Sequence, residues 1–413
     1  MRLPLMNIRF NSICFLLMLA LFVGSCKKDE INNGSASSIK IISTDNEPKQ
    51  VILLSSKGGV MLAILTSGDV IFPPNDQELL LLNSDGDVLR RLTLSDSLFQ
   101  HVSAVPAMDG GFFICASTNT LPYIAIYHLS DAGDILWSKS FDVKLGTNLN
   151  QPVACISRDN HYLVMYQSYG SGYYLWKGDV AGNEVFNAKF PIPNAIHYGT
   201  GLNYGERYSN IYQPNDTQIV VQGITIDRYE SDVENCFLRV VNENMAKKWY
   251  SSNFDSTRIE LGAGFAYIDG KIILFGTKSD NAFLEYFGDP FIRVYSTAGN
   301  FEGETLIPRV EGTPTIIKRV VPSPDGGYLL IGSNNQYSQG ELVSPNKIAI
   351  IKLNFDASVS WTRAISTGYP SRGFDAVYHS DGSIGVAGLL KERDNENKLM
   401  YLHLDATGNI INN

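Results

Sequence analysis

The sequence predicts an all-β protein built from seven repeats of four strands. Three observations carry that prediction. Short runs rich in Val, Ile, Phe and Tyr occur throughout, while helix-length amphipathic patterns are nearly absent. A strand–turn–strand unit, clearest as Tyr123–Phe141, returns seven times with turn anchors at Gly86, Gly133, Gly182, Met245, Gly299, Ala357 and Gly408. Four residues after each anchor stand Arg90, Trp137, Phe186, Trp249, Gly303, Trp361 and Asn412, so three of the chain's 4 tryptophans share one repeat position.

A second hairpin precedes each anchor. Its turns fall at Lys57-Gly58-Gly59, Asp109-Gly110-Gly111, Asp159-Asn160, Asp216-Thr217, Asp269-Gly270, Asp325-Gly326-Gly327 and Asp381-Gly382. These residue types tolerate positive φ and close tight hairpins. Each unit of roughly fifty residues therefore holds two hairpins, and one four-stranded sheet cannot bury both of its faces alone. Radial stacking of such units is a β-propeller. The blades are expected at about 48–94, 100–141, 151–190, 207–254, 262–306, 315–366 and 372–413. In the second blade the strands are His101–Met108, Gly111–Ser117, Tyr123–His128 and Ile135–Phe141. The +4 aromatic belongs on an outer strand against the next blade, burying on the order of 150–250 Å². The seventh unit is cut short after Asn409, and the unassigned β-like run Ile39–Ser43 is expected to complete its sheet near Leu399–Leu404. That closure would cover an edge that otherwise invites aggregation.

Residues 1–25 read as an export signal. Arg2 and Arg9 give a positive start and Ile13–Val23 an apolar core, too short for a bilayer-spanning helix of roughly 20 residues. Val23-Gly24-Ser25-Cys26 resembles the bacterial lipobox, which implies cleavage before Cys26 and acylation of its thiol. Residues 26–38 are then a lipidated tether, with Ile31–Ser38 small and polar. The run Lys27-Lys28-Asp29-Glu30 resembles the surface-export signal of Bacteroidetes-type lipoproteins and reads equally as a solvated tether. The expected localisation is extracytoplasmic and lipid-anchored at the outer membrane, on its surface or its periplasmic side.

The formal net charge is −9, and removal of the signal takes away arginines but no acids. With basic residues scattered along the chain, nucleic acid is not expected as a partner. Of 5 cysteines, Cys14 leaves with the signal and Cys26 takes the lipid, leaving Cys115, Cys155 and Cys236 on predicted strands. They read as buried small apolar residues, with one disulfide at most and no metal spacing. No cofactor motif, nucleophile elbow or phosphate-binding glycine loop is found in the sequence.

The pattern Leu129-x-Asp131-x-Gly133-x-x-x-Trp137, repeated more loosely around Trp249 and Trp361, resembles the tryptophan-docking repeat of quinoprotein-like propellers. The resemblance implies a packing role for these residues. Quinone-dependent members carry adjacent cysteines beside the cofactor, and this chain has none adjacent. Those families have eight blades, whereas seven are counted here. The sialidase Asp-box fails by one residue, because each repeat Trp comes a position too late.

The strand order gathers the tight turns at one end of the blades and the long connections at the other. The latter are Ser67–Glu78, Pro191–Glu206, Thr225–Asn235, Lys278–Asp289, Ser333–Asn346 and Lys391–Asn397. They carry Tyr198, Tyr204, Tyr229, Tyr286, Phe287 and Tyr337, with Tyr369 in a shorter loop; these tyrosines are the candidate binding face. Each also reads as an anchor packed under its own loop. Asp227, Glu230, Asp232, Glu234, Glu285 and Asp289 lie in the same connections and are candidates for acid–base work on glycosides or for calcium. His128 and His403 share one repeat position, which points to a role on the strand face. Two functions remain: a binding or scaffold module for a glycan or protein partner, or a carbohydrate-active enzyme using loop carboxylates.

Overall fold

The computed structural model describes residues 39–66, 77–94, 99–118, 123–142, 152–168, 172–190, 204–215, 218–227, 233–241, 247–252, 259–279, 288–338, 341–391 and 396–411. It is a seven-bladed β-propeller of four-stranded antiparallel sheets. The chain enters on β1 (Ile39–Ile42). Blade 1 follows as β2 (Gln50–Ser55), β3 (Met61–Thr66), β4 (Gln77–Leu82) and β5 (Val88–Leu92), and blade 2 as β6 (Phe99–Pro106), β7 (Phe112–Thr118), β8 (Tyr123–Leu129) and β9 (Ile135–Asp142). Blade 3 is β10 (Val153–Ile156), β11 (Tyr162–Ser168), β12 (Gly172–Gly178) and β13 (Glu184–Phe190). Blade 4 is β14 (Tyr204–Asn215), β15 (Gln218–Asp227), β16 (Val233–Val241) and β17 (Lys247–Ser252). Blade 5 is β18 (Ile259–Ile268), β19 (Lys271–Ser279), β20 (Asp289–Ser296) and β21 (Phe301–Leu306). Blade 6 is β22 (Thr315–Pro322), β23 (Tyr328–Ser338), β24 (Glu341–Leu353) and β25 (Val359–Ser366). Blade 7 takes β26 (Ser371–Tyr378), β27 (Ile384–Lys391) and β28 (Asn397–Leu404) from the end of the chain and β1 from its start.

The anchor turns have one construction, and the sequence dictates it. In each described case the residue at the anchor has positive φ: Gly86, Gly133, Gly182, Gly299, Gly408 and, without glycine's freedom, Ala357 at φ 64. Its N–H donates to the carbonyl three residues back, as Gly133 does to Ser130 at 2.9 Å. A register shift follows in the ladder, between His128 and Leu129 in blade 2. That is a type I turn closed by a left-handed residue and a bulge. Small polar residues open it because their side chains accept the N–H at the far side: Asn83 from Asp87, Ser130 from Asp134, Asp179 from Asn183 and Asp405 from Asn409. Blade 5 departs at its inner hairpin, where Asp269 (φ 47) and Gly270 (φ 76) form a two-residue turn.

The core lies between blades. Buried residues fall into seven clusters, one for each pair of neighbours, so each sheet buries both faces only through its two partners. The first strand of each blade lies against that of the next, and β26 against β2 completes the ring. Closure is antiparallel, Ile39 opposite Leu402 and Ile42 opposite Leu399, the pairing to which the apolar run before the first repeat points. Among the described residues beyond Leu404, Ile410 forms a single bridge, back to Leu404.

Two expectations need correction. Ser333–Asn346 is not a loop: β23 and β24 continue past the blade as a paired arm, through Tyr337 opposite Leu342 to Ser338 opposite Glu341. Thr225–Asn235 is likewise largely ladder, with Thr225 opposite Asn235 and Asp227 opposite Val233. Both stretches mix polar and β-branched residues, a composition that reads as loop when its pairing partner is unknown.

Candidate functional site

At the end of the blades carrying the long connections, the structure reaches the predicted residues unevenly. Tyr198, Tyr229 and Tyr286 lie outside the described residues, as do Glu230, Asp232, Glu285 and the lipobox Cys26. Tyr204 opens β14 opposite Asp227, and Tyr337 sits in the paired arm of blade 6; for both, the backbone alone is described. Tyr369 is half-buried in a tight loop, its N–H donating to the Thr367 hydroxyl at 3.3 Å and its carbonyl accepting from that hydroxyl at 2.8 Å. Asp289 is engaged by Arg309 through both carboxylate oxygens, and that pairing holds the guanidinium pKa above its ordinary value.

The same end of blade 5 holds a chain of charges absent from the sequence reading. Arg293, buried on β20, donates to both oxygens of buried Glu260 on β18 and through Nε to Glu304 on β21, which Lys278 on β19 also contacts. One side chain from each strand takes part, so the network ties the blade across its width. Burial opposes ionisation of Glu304, but Lys278 and Arg293 outweigh it and leave its pKa below the usual carboxylate range. Glu260 and Arg293 stand thirty-three positions apart, and only the blade topology brings them together.

The tight-turn end shows a regular device. Five positions before the anchor, on the third strand, stand Leu81, His128, Lys177, Val240, Val294, Lys352 and His403. His128 Nε2 lies 2.9 Å from Asp109, Lys177 Nζ 2.8 Å from Asp159, and Lys352 Nζ 2.8 Å from Asp325; these partners occupy the third place of the inner turn. In blade 7, His403 reaches Asp381 through the Ser383 hydroxyl. In blade 1, where Leu81 replaces the cation, that turn place is Gly58. The shared position of His128 and His403 thus marks a strut from the third strand to the inner turn. Lys352 holds the Asp325 carboxyl down to about 2. Asp159 also falls to about 2, its partial burial being outweighed by Lys177 and Ser157.

Around the axis at this end lies a cavity of about 370 Å³, lined by Ser55, Ser56, Lys57, Met108, Asn160 and Tyr378 among others. Beside it, blade 7 meets blade 1. Tyr401 donates to the Ser84 carbonyl at 2.8 Å, His379 Nε2 lies 2.9 Å from the same phenol, and the His379 and His403 rings stand 5.4 Å apart. Burial, then the neighbouring His403, pushes the His379 pKa down. On the inner strands, buried Asp375 of β26 accepts the Leu53 N–H of β2 at 3.1 Å and lies 3.4 Å from Arg319 of β22, joining blades 6, 7 and 1.

Cys115 and Cys155 are buried free thiols, as their strand positions indicate, while the Cys236 side chain lies outside the described set. Burial pushes Cys155 up to about 12, which removes it from thiolate chemistry. Among the described residues no group of three metal-ligating side chains converges.

No family model matches the chain, and no curated protein matches it. Solved structures do. A protein of unknown function from Dyadobacter fermentans superposes with a TM-score of 0.53 at 11% identity, over 89% of this chain and 98% of that one. The polysaccharide lyase Uly1 gives 0.49 at 8% identity over 92% and 94%, and an α-L-arabinanase of Penicillium chrysogenum complexed with arabinobiose gives 0.44 at 12% over 73% and 92%. The likeness is one of fold.

Proposed function

We propose that this chain is a lipid-anchored, extracytoplasmic propeller that acts as a binding or scaffold module, presenting its long-connection end to a glycan or protein partner. The observation that carries the reading is the division of the blades into two ends. Every described anchor turn and inner turn sits at one end and is stitched by its own hydrogen bonds. The connections of variable length leave the other, between β3 and β4, β13 and β14, β17 and β18, and β19 and β20. Variable loops on a repetitive scaffold are where recognition resides. The anchor rests on Val23-Gly24-Ser25-Cys26 and the polar tether that follows.

A carbohydrate-active enzyme is the alternative reading. Asp289 counts against its own use there, since Arg309 already occupies its carboxylate. One experiment addresses both readings: a glycan array, with reducing-sugar release measured on the same polysaccharides. Binding without turnover, weakened about tenfold by Tyr204→Ala or Tyr286→Ala, supports the module. Turnover abolished by Asp232→Ala or Glu285→Ala overturns it. For the anchor, intact mass of the N-terminal peptide should show acylated Cys26, and Cys26→Ser should abolish incorporation of labelled palmitate.

A further inference from the structure

The inner turns of blades 1, 3 and 6 open on a serine, and in two of the three the turn itself satisfies the hydroxyl. Ser157 Oγ donates to Asp159 at 2.7 Å, and Ser323 bonds the Asp325 carboxylate. Blade 1 keeps the serine as Ser56 but has Gly58 where the carboxylate stands. Glycine makes room for blade 2 there: a β-carbon at Gly58 would lie 2.7 Å from Asp131, whose carboxylate accepts the Gly111 N–H at 3.0 Å. The consequence falls on Ser56, which is 7% exposed and whose Oγ has no hydrogen-bond partner. A hydroxyl buried without a bond is costly, so this one calls for a partner outside the turn.

Ser56 lines the cavity of about 370 Å³ at the tight-turn end, together with Lys57 and with Pro106 and Met108 of blade 2, Ile156 of blade 3 and Tyr378 of blade 7. That size suits a small molecule. The polar groups of its walls are hydroxyls, one amide and one ammonium, with no Asp or Glu. Lys57 differs from the strut lysines. Lys177 and Lys352 each end on a turn carboxylate, whereas the Lys57 ammonium meets the Met108 carbonyl and pairs with no carboxylate among the described residues. An ammonium has three N–H donors, so Lys57 keeps donors to spare one residue from the unbonded Ser56 hydroxyl. Pro106, Met108 and Ile156 give the cavity its apolar wall.

We propose that this cavity binds a compact carboxylate-bearing molecule, with the Lys57 ammonium and the Ser56 hydroxyl donating to the carboxylate and the apolar wall taking the hydrocarbon body. Charge-assisted bonds of this kind are the strong ones. The site lies at the end of the ring opposite the long connections, so it stands or falls independently of a partner bound there. Benzoate, with benzamide as its uncharged isostere, tests it on the full chain by saturation-transfer NMR, with melting temperature measured in parallel. Benzoate should bind saturably and benzamide about tenfold more weakly, the worth of one charge-assisted bond. Lys57→Gln should remove that preference. Ser56→Ala should weaken benzoate about threefold or more yet leave the melting temperature of the free protein unchanged, because the fold loses no bond. Ser157→Ala, which loses its bond to Asp159, should lower that temperature. Equal binding of the two probes, no saturable binding, or benzoate binding that survives both variants overturns the proposal. So does a fall in melting temperature for Ser56→Ala as large as that for Ser157→Ala, since an ordered water then satisfies the hydroxyl as part of the fold.

Discussion

Trp137 shows what the repeated aromatic does. It is half-buried, and its indole N–H donates to the Val180 carbonyl of the next blade at 2.9 Å. The ring lies on Gly182, where a β-carbon would stand 2.9 Å away, and Trp361 lies on Gly408 in the same manner. The turn glycine therefore answers two demands, positive φ and a flat seat for the preceding blade. Among the described side chains the fully buried tryptophan is Trp176, which is outside the repeat position. Because Trp137 keeps one edge in water, Trp137→Ala should cost about 2–3 kcal/mol, less than the 3–5 kcal/mol of a wholly buried ring. Trp137→Phe should recover part of that loss but not the Val180 bond, a difference chemical denaturation can read. The strut residues permit a sharper test. Removing the carboxylate by Asp325→Asn leaves the buried Lys352 ammonium with the Leu353 carbonyl and should cost about 1–3 kcal/mol at pH 7. The folded pKa of Asp325, about 2, lies below its unfolded value of 3.8, so the contribution is present above pH 3.8 and disappears as pH falls through 2. The stabilities of the two proteins should accordingly converge between those limits.

Among the elements, β1 is the one whose loss changes the others. It covers β28 with four paired residues, and Glu47 just beyond it accepts from the N–H and side chain of Asn397. A chain beginning at Glu47 would expose the edge of β28 and should melt several degrees lower; unchanged melting would show the strand to be dispensable. The seam beside it titrates. His379 is held below its ordinary pKa of 6.5, chiefly by burial, so the fold favours the neutral ring. Its stabilising share is complete above pH 6.5 and is lost as pH falls through the folded pKa. The groups facing it are Tyr401 and His403 on β28, Asp381 on its own turn and Asp85 on the turn of blade 1. His379→Gln should flatten the pH dependence of melting below pH 6.5. Both strand and seam were partly legible: Ile39–Ser43 stood out as a β-like run before the first repeat, matched to a seventh blade one strand short, and His403 as a repeat of His128. The cross-blade bonds of Tyr401 and His379 were not, because nothing in a linear pattern says which turn of blade 1 faces blade 7.

Across the whole ring, the sequence was most informative where one short-range rule recurs and least where a contact spans blades. Seven anchors sufficed to count the blades, because each turn must satisfy its own backbone within five residues. The arms of blades 4 and 6 were read as loops, because a strand outside its sheet has no burial pattern to betray it. Contacts between distant positions left no local trace, and Asp375 is the clearest case. From β26 it reaches β2, most of the chain away, and approaches Arg319 of β22, so a single carboxyl ties together the three blades at which the ring closes. It is buried, and desolvation outweighs both Arg319 and the N–H groups of Leu53 and Ala376, leaving its pKa raised. A raised folded pKa means that its contribution is fully present below 3.8 and is lost as pH rises through the folded value. Asp375→Asn keeps an acceptor for Leu53 while discarding the charge. Relative to the parent it should therefore gain stability as pH rises from 4, whereas Asp375→Ala, which orphans the Leu53 N–H, should lose about 1–3 kcal/mol. Urea unfolding of the three proteins from pH 4 to 8 measures this. If the parent instead gains on the Asp375→Asn protein as pH rises, attraction to Arg319 exceeds the cost of burial and the clamp is an ion pair.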